Sequence, residues 1–413
     1  MPRLAIDFGT SNTAAAIMAG QQAWKIPLEP GETTMPTAMF FDPYSDTVLY
    51  GHRALAALID GREGRFLRAL KSVLGTPLLR ESRILGGKRT TLLQVIGQFL
   101  ARVKAQAEDQ CHMSFDSALS GRPVHFHSRN PAYDAQAAKD LADCYALAGF
   151  RDVTFLAEPE AAALACGGVA SGLGLVVDIG GGTSDFTVFR GLGDAIETLA
   201  SHGIRLGGTD FDRLLNIDRV MPLLGLGSKL RREFGTGLTE APKALFNELA
   251  TWEKIPFQYT PETRRAVAGM ARLAVEPTPW ERLTEVLDSE LAHDIAHAVE
   301  QAKIAANSGA ARGVALDPVE PGLRATLDGA DLVRLLDDSA QEIGDAATTA
   351  LARAGVAADQ ITRVVLVGGS SLLAPVDAAV RARFPRAAID RSDAFTAIVD
   401  GLAIAAARQD ALA

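Results

Sequence analysis

Short apolar runs alternate with longer helical patterns along most of this chain. Residues 3–27 read as strands: an apolar run that ends at Asp7, a break of glycine and hydroxyl residues, and a returning apolar run over 14–18. A polar turn at 29–34 and a strand pair through Tyr50 come next. The apolar spacing turns helical around 52–74 and again over 92–108. Residues 124–127 read as a strand. After it, Asp134 is placed to cap a helix with Ala138, Leu141, Ala142, Tyr145 and Ala148 on one face, and Gly149 stops it. A short strand is expected at 153–156 and an alanine-rich helix at 160–165. The second half repeats the order. Strands run through about residue 200, then a mostly helical stretch covers 209–308. An apolar strand at 364–367 has helices on either side, and an apolar helix over 395–407 closes the chain. Strands alternating with helices predict an α/β fold whose sheets are covered by helices.

One element of the pattern recurs at long range. Ala5-Ile6-Asp7-Phe8-Gly9-Thr10-Ser11-Asn12-Thr13 and Val177-Asp178-Ile179-Gly180-Gly181-Gly182-Thr183-Ser184-Asp185 share a design. Each is an apolar run ending in Asp, then glycine and hydroxyl residues, then a second strand-like run. Each predicts a strand, a tight turn and a returning strand. Glycines let backbone N–H groups approach anionic oxygens closely. An Asp at the strand end suits the divalent cation that accompanies a polyphosphate. A single such loop is a common hairpin; a pair predicts two halves of a duplicated scaffold facing each other across a nucleotide. The backbone N–H groups of Gly9, Thr10, Ser11 and Asn12, and of Gly180, Gly181, Gly182 and Thr183, are then expected to hold phosphate oxygens. The hydroxyls of Thr10, Ser11 and Thr183 add donors, and Asp7 and Asp178 order a hydrated Mg²⁺. A third stretch, Val364-Val365-Leu366-Val367-Gly368-Gly369-Ser370-Ser371, is an apolar strand running into paired glycines and a helix. Gly368, Gly369 and Ser370 would let backbone pass close to a sugar or base.

Bulk properties narrow the picture. With 413 residues the chain is too long for one simple core. A hydrophobic share of 48% and a charged share of 22% are those of an ordinary globular protein. The net charge of -9 argues against nucleic acid or an anionic membrane as the main partner. Cys111, Cys144 and Cys166 show no CxxC spacing, which fits small buried thiols in a reducing cytoplasm. Asp7 interrupts the first apolar stretch, so that stretch is no secretory signal. The charge-free run 161–177 reads as helix end, loop and buried strand and not as a membrane span. His293-Asp294-Ile295-Ala296-His297 has the spacing of a zinc-protease helix, but Asp stands where Glu is required, so it reads as an exposed helix face. His125 and His127 would share one strand face and read as packing or surface residues.

The ordered set DFGTSNT, DIGGGTSDF and LVGGSS resembles the actin-like ATPase superfamily, and within it the ATPase domain of DnaK-type heat-shock chaperones. Three further stretches extend the likeness over nearly the whole chain. They are Met35-Pro36-Thr37-Ala38-Met39-Phe40-Phe41, Glu158-Pro159-Glu160-Ala161-Ala162-Ala163 and Leu206-Gly207-Gly208-Thr209-Asp210-Phe211-Asp212. Leu249-Ala250-Thr251-Trp252-Glu253-Lys254-Ile255 resembles the short YegD-like branch, which has the ATPase domain without a peptide-binding domain. The resemblance implies two duplicated, ribonuclease H-like α/β lobes around a nucleotide cleft. Lobe I would be 1–168 with an insertion over about 35–91, and lobe II 169–389 with a helical insertion over about 207–309. Residues 390–413 would form a helix returning to lobe I.

The same resemblance implies ATP or ADP with Mg²⁺, and hydrolysis with lobe closure. Lys71 matches the family's lysine beside the β- and γ-phosphates, and Glu158 the glutamate that helps place the attacking water and metal shell. Asp178 matches the carboxylate assigned to that water's proton, and Asp7 sits opposite it; such positioning suffices for phosphoryl transfer. Gly207 and Gly208 join the nucleotide set. Glu300, Lys303 and Asn307 match the adenine and ribose clamp, Glu300 and Lys303 sharing a helix face. The chain departs from the family at Ile304, where an arginine usually stacks on the base, and at Asn307, where serine is usual. Ser370-Ser371-Leu372-Leu373-Ala374-Pro375 lacks a second stacking arginine, and 124–131 lacks the family's apolar strand into Val-Pro-Ala-Tyr. Weaker binding of the base is expected. With the sequence ending at Ala413, no peptide groove of the chaperone type is expected. The expected protein is a cytoplasmic, monomeric ATPase that signals to a protein partner of unknown identity. Three alternatives stand beside it: a nucleotide-binding switch with negligible turnover, a polymerising MreB-like filament, and a small-molecule kinase of the same superfamily.

Overall fold

The computed structural model describes residues 2–45, 47–126, 130–165, 172–193, 196–233, 235–310, 313–391 and 396–412. The chain divides into two compact units. Met1–Arg205, Asp345–Leu372 and Val380–Ala413 form the first, and Leu206–Gly344 with Leu373–Ala379 the second.

Two mixed sheets organise the first unit, and they share a local plan. In one, Leu4–Phe8 is antiparallel to Asn12–Ala19 and parallel to Ser117–Arg122, which is followed by Asp152–Ala157. In the other, Gly172–Ile179 is antiparallel to Ser184–Gly191 and parallel to Ile361–Val367. The long-range sequence repeat is thus a repeat of hairpin plus parallel neighbour. Alternation along Leu4–Phe8 separates two cores. Leu4, Ile6 and Phe8 face a core shared with Val95, Phe99, Leu141 and Tyr145, from the helices Leu92–Cys111 and Pro131–Leu147. Ala5 faces a second core with Ala161, Val176, Val365, Val399 and Leu402. Asp7 falls on the Ala5 face, which fixes the side on which any chemistry must occur.

That second face is lined with small residues because two helices touch there almost without side chains. A Cβ placed on Gly401, in the helix Ala397–Leu412, would lie 1.7 Å from the carbonyl oxygen of Ala161, in the helix Glu158–Ala165. A third, smaller sheet (Ala38–Phe41, Val48–Tyr50 and Arg65–Arg68) packs on the helix Gly51–Ile59.

Several boundaries differ from the sequence reading. The strand expected at 124–127 lies earlier, at Ser117–Arg122, because Pro123 has no N–H to extend the ladder. The helix expected from Asp134 is capped by Asn130, whose side chain accepts from the N–H groups of Ala132 and Tyr133, with Pro131 in the first turn. Asp134 instead accepts from the Phe126 N–H at 2.6 Å. The helical stretch around 52–74 ends at Ile59 and gives way to the strand Arg65–Arg68, because Gly61 turns with φ +62°. The closing helix runs Ala397–Leu412, and its expected first residue, Phe395, lies outside the described residues, as do Cys166 and His127.

The second unit is mostly helical, with Gly208–Leu215, Lys243–Leu249, Pro261–Leu273, Thr278–Asp288 and Ala292–Asn307 as its main helices. Its core is anchored by Trp280, fully buried edge-on to Phe246, with the indole N–H donating to Ser228 at 3.0 Å.

Candidate functional site

Both Asp-bearing hairpins of the first unit close with the same hydrogen bond. The Gly9 N–H donates to the Asn12 carbonyl at 3.0 Å, and the Gly180 N–H to the Thr183 carbonyl at 2.9 Å. These two N–H groups are therefore spent on the turns, which corrects the expectation that Gly9 and Gly180 donate to phosphate; Thr10, Ser11, Gly181 and Gly182 sit at the turn tips. The turns also meet: a Cβ on Gly181 would lie 2.6 Å from the Ser11 hydroxyl. The third glycine stretch joins them, since a Cβ on Gly368 would lie 2.3 Å from the Ile179 carbonyl and 3.2 Å from an Asp178 carboxyl oxygen. Gly368 also has φ +80°, so glycine is required there twice over. Gly369 is exposed and Ser370 half-buried on the turn that follows.

Beneath the turns lies a cluster of charge. The Lys71 ammonium donates to Glu158 at 2.6 Å, and both side chains are about nine-tenths buried. Burial, then the charge of Glu158, pushes the Asp7 carboxyl up to about 7, with Lys71 pulling the other way. Asp178 is raised well above the usual carboxylate range by burial, then by Glu158, Asp185 and Asp7, again opposed by Lys71. Burial alone would lower Lys71; Glu158, Asp7 and Asp178 outweigh it and hold the ammonium above its ordinary value. Four carboxylates around one lysine are an acidic excess that a divalent cation would relieve. Among the described residues no three His, Cys, Asp or Glu side chains converge to hold a metal unaided. A hydrated Mg²⁺ needs only one or two carboxylates beside phosphate oxygens, so Asp7 and Asp178 fit that ion.

Three residues outside the expected set build this site. Thr37 clamps the first turn: its N–H donates to the Ser11 carbonyl at 2.8 Å and its hydroxyl to the Gly9 carbonyl at 2.9 Å. Asp185, opposite Asp178 across the second hairpin, is the fourth carboxylate, raised to about 6 chiefly by burial. With Glu158 and Asp178 it borders a cavity of about 20 Å³, the size of a single water. Asp140 anchors the lysine. It is buried and accepts from the Gly75 N–H at 2.9 Å, and Gly75, with φ +79°, packs where a Cβ would lie 2.2 Å from the Tyr133 carbonyl. The Lys71-to-Gly75 spacing is thus held to the helix Pro131–Leu147. Thr37 and Asp185 stand in stretches whose likeness was already visible; nothing local distinguished their roles.

The residues expected at the base and ribose belong to the second unit. Gly207 and Gly208 begin the helix Gly208–Leu215, where the Asp210 carboxylate accepts from the Gly207 N–H at 3.1 Å. Lys303 is buried and pairs with Asp212 at 2.7 Å, whereas Glu300 is exposed and 3.9 Å from His297. The face Glu300 and Lys303 were expected to share is therefore split between core and solvent. The Asn307 side-chain oxygen accepts from the Ala374 N–H at 2.8 Å, and Ile304 is 55% exposed.

Other candidates are placed plainly. His293 is buried against Trp252, rings 4.7 Å apart, and not on an exposed face as expected. His125 lies beyond the strand end and meets Asp134 at 3.2 Å, so the shared strand face with His127 does not arise within the described residues. Cys144 is buried, its thiol pushed up to about 12 by burial first, while Cys111 is only half-buried. No described helix is long and apolar enough to cross a membrane.

The family model described as Hsp70 protein matches residues 3–218 and 284–410. A chaperone protein DnaK from Endomicrobium trichonymphae is 33% identical over 221 residues, covering 51% of this chain and 34% of that protein. A chaperone protein DnaK from Cenarchaeum symbiosum (strain A) is 30% identical over 270 residues, covering 63% of this chain and 38% of that protein. The chain spans little more than a third of the length of the curated relatives it matches.

Proposed function

The chain belongs to the Hsp70 family, and on that premise we propose that it binds ATP with Mg²⁺ and hydrolyses it to ADP and phosphate. Its mixed α/β architecture is that of the Hsp70 and actin-like ATPases. The observation that carries the proposal is the gathering of Asp7, Lys71, Glu158 and Asp178 beneath two glycine turns that touch.

In this reading the backbone N–H groups and hydroxyls at Thr10, Ser11, Asn12, Gly181, Gly182 and Thr183 bind phosphate oxygens. Lys71, kept charged by its carboxylate neighbours, offsets the negative charge of the terminal phosphates. Glu158 positions the attacking water, and Asp178 accepts its proton. A carboxyl raised above its usual range by burial and by its carboxylate neighbours holds a proton more readily, which suits a general base. Asp7 and Asp178 hold the Mg²⁺ shell; the ion, when bound, supplies positive charge to the phosphate oxygens. Most of the rate enhancement would come from positioning and charge. Gly207, Gly208, Glu300, Lys303 and Asn307 serve the ribose and base, with Gly368, Gly369 and Ser370 beside Asp178. Closure on ATP and relaxation after hydrolysis would signal to a protein partner. Phosphate release from Mg²⁺-ATP, wild type against Asp178→Asn, tests this; release no higher than the variant's removes the hydrolysis step.

A second reading is a nucleotide-binding switch that turns over negligibly. It is favoured by Ile304, which offers the base no guanidinium to stack on, and by Asn307, whose carbonyl is already engaged. Calorimetry that detects neither ATP nor ADP binding at millimolar ligand would remove both readings.

A further inference from the structure

A cavity of about 340 Å³ opens in the second unit, and no residue of the candidate site lines it. Its volume falls within the range usual for small-molecule sites, about 300–1,000 Å³. One wall is the helix Gly208–Leu215, through Thr209 and Arg213; another is the turn Trp252–Phe257, through Trp252 and Lys254.

Arg213 is the informative residue. It is half-buried, and among the described residues its guanidinium makes no hydrogen bond or ion pair. The unit's other described half-buried arginines are all paired: Arg219 with Asp331, Arg264 with Asp288 at 3.3 Å, and Arg282 with Glu320 at 2.5 Å. The carboxylates on its own helix are committed elsewhere. Asp210 accepts from the Gly207 N–H at 3.1 Å, and Asp212 holds Lys303 at 2.7 Å. A guanidinium that has lost part of its hydration without gaining an acceptor is unfavourable. An incoming anion would correct that, and the planar fork of arginine suits carboxylate and phosphate alike. Lys254 adds a second positive group, its own pairing with Glu248 being long at 3.9 Å. The Trp252 indole is held edge-on against His293, rings 4.7 Å apart and 67° inclined, and His293 is 8% exposed. A fixed indole offers an aromatic surface at little entropic cost.

We propose that this cavity binds a small planar molecule bearing an anion, with the ring against Trp252 and the carboxylate or phosphate on Arg213. The site shares no residue with the phosphate turns, so failure of the ATPase reading leaves it standing.

Titration calorimetry on the full chain tests the proposal with three probes: phenyl phosphate, benzoate and inorganic phosphate. At least one ring-bearing anion is expected to bind with Kd below about 1 mM, and inorganic phosphate roughly tenfold more weakly. Preference for phenyl phosphate identifies a phosphorylated aromatic, and preference for benzoate an aromatic carboxylate. Arg213→Gln should weaken binding about tenfold or more, and Trp252→Leu by a similar factor. Asp178→Asn should leave it unchanged. Lys254→Gln, on the exposed rim, is the variant least able to disturb folding and should weaken binding a few-fold, while circular dichroism checks Arg213→Gln. Absence of binding by both ring-bearing probes at about 10 mM, undiminished binding in folded Arg213→Gln, or equal affinity for inorganic phosphate would overturn it.

Discussion

The two Asp-bearing hairpins are built alike and braced differently. Each closes on a glycine N–H, and each carries its Asp at the end of the first strand. The first turn is tied from outside: Thr37 bonds both its Ser11 and Gly9 carbonyls, and the Thr37 and Thr13 hydroxyls lie 2.8 Å apart. The second is shaped by close backbone approach at Gly368, and its tip residues Gly182 and Thr183 are exposed. A repeated motif therefore need not mean two equal half-sites. One turn is set before any ligand arrives; the other has its base fixed and its tip open.

The strongest way to break the comparison is to remove each Asp in turn. Asp178→Asn should reduce phosphate release about a hundredfold or more, without lowering the melting temperature, because it relieves crowding among carboxylates. Asp7→Asn should fall short of that loss; equal losses would make the turns interchangeable after all. Gly401→Ala probes what the turns share. Its new Cβ meets the Ala161 carbonyl, so the helix carrying Glu158 must shift, costing roughly 1–3 kcal/mol in denaturant unfolding.

A smaller effect should appear with pH. The Asp7 and Asp185 carboxyls are raised in the folded chain, to about 7 and about 6. Their contribution to stability is complete below the unfolded value of 3.8 and is lost as pH rises through those folded values. Lys71, raised instead, stays charged throughout and contributes no slope there. The ligand-free melting temperature should thus fall between about pH 4 and 7 and level off above that, and Asp185→Asn should flatten the decline. The smallest change is expected from Thr37→Val, which removes the Gly9 bond at a cost of about 1 kcal/mol by chemical denaturation and should weaken nucleotide binding a few-fold.

Much of this was legible in the sequence because it is local. The hairpins and the paired glycines after Val367 each rest on a few adjacent residues, and Lys71 and Glu158, each marked by a short stretch, lie together. What escaped depends on distant partners. Thr37 looks like any strand threonine until Gly9 is beside it, and Asp185 gains its character only from burial near Glu158. His293 sits on a helix with polar neighbours, and the approach of Trp252, distant in sequence, helps to cover it. Asp134 had the right chemistry for a cap, but Asn130, directly ahead of Pro131, was better placed. Gly9 and Gly180 look like phosphate donors in a sequence, which does not reveal that a turn consumes its own first N–H.

The contact between Gly401 and Ala161 has a mechanical side. Packed helices ordinarily interlock through side-chain ridges, and moving one past another means lifting ridges out of grooves. At this crossing a glycine lies against a carbonyl. It is a seat with two smooth surfaces pressed together and no teeth. The helix that begins at Glu158 is spaced from its neighbour by backbone alone, while the strands on either side are spaced by their ladders. Of the groups beneath the turns, Glu158 is the one whose seat depends on that spacing, and a single methyl group at position 401 would lift it.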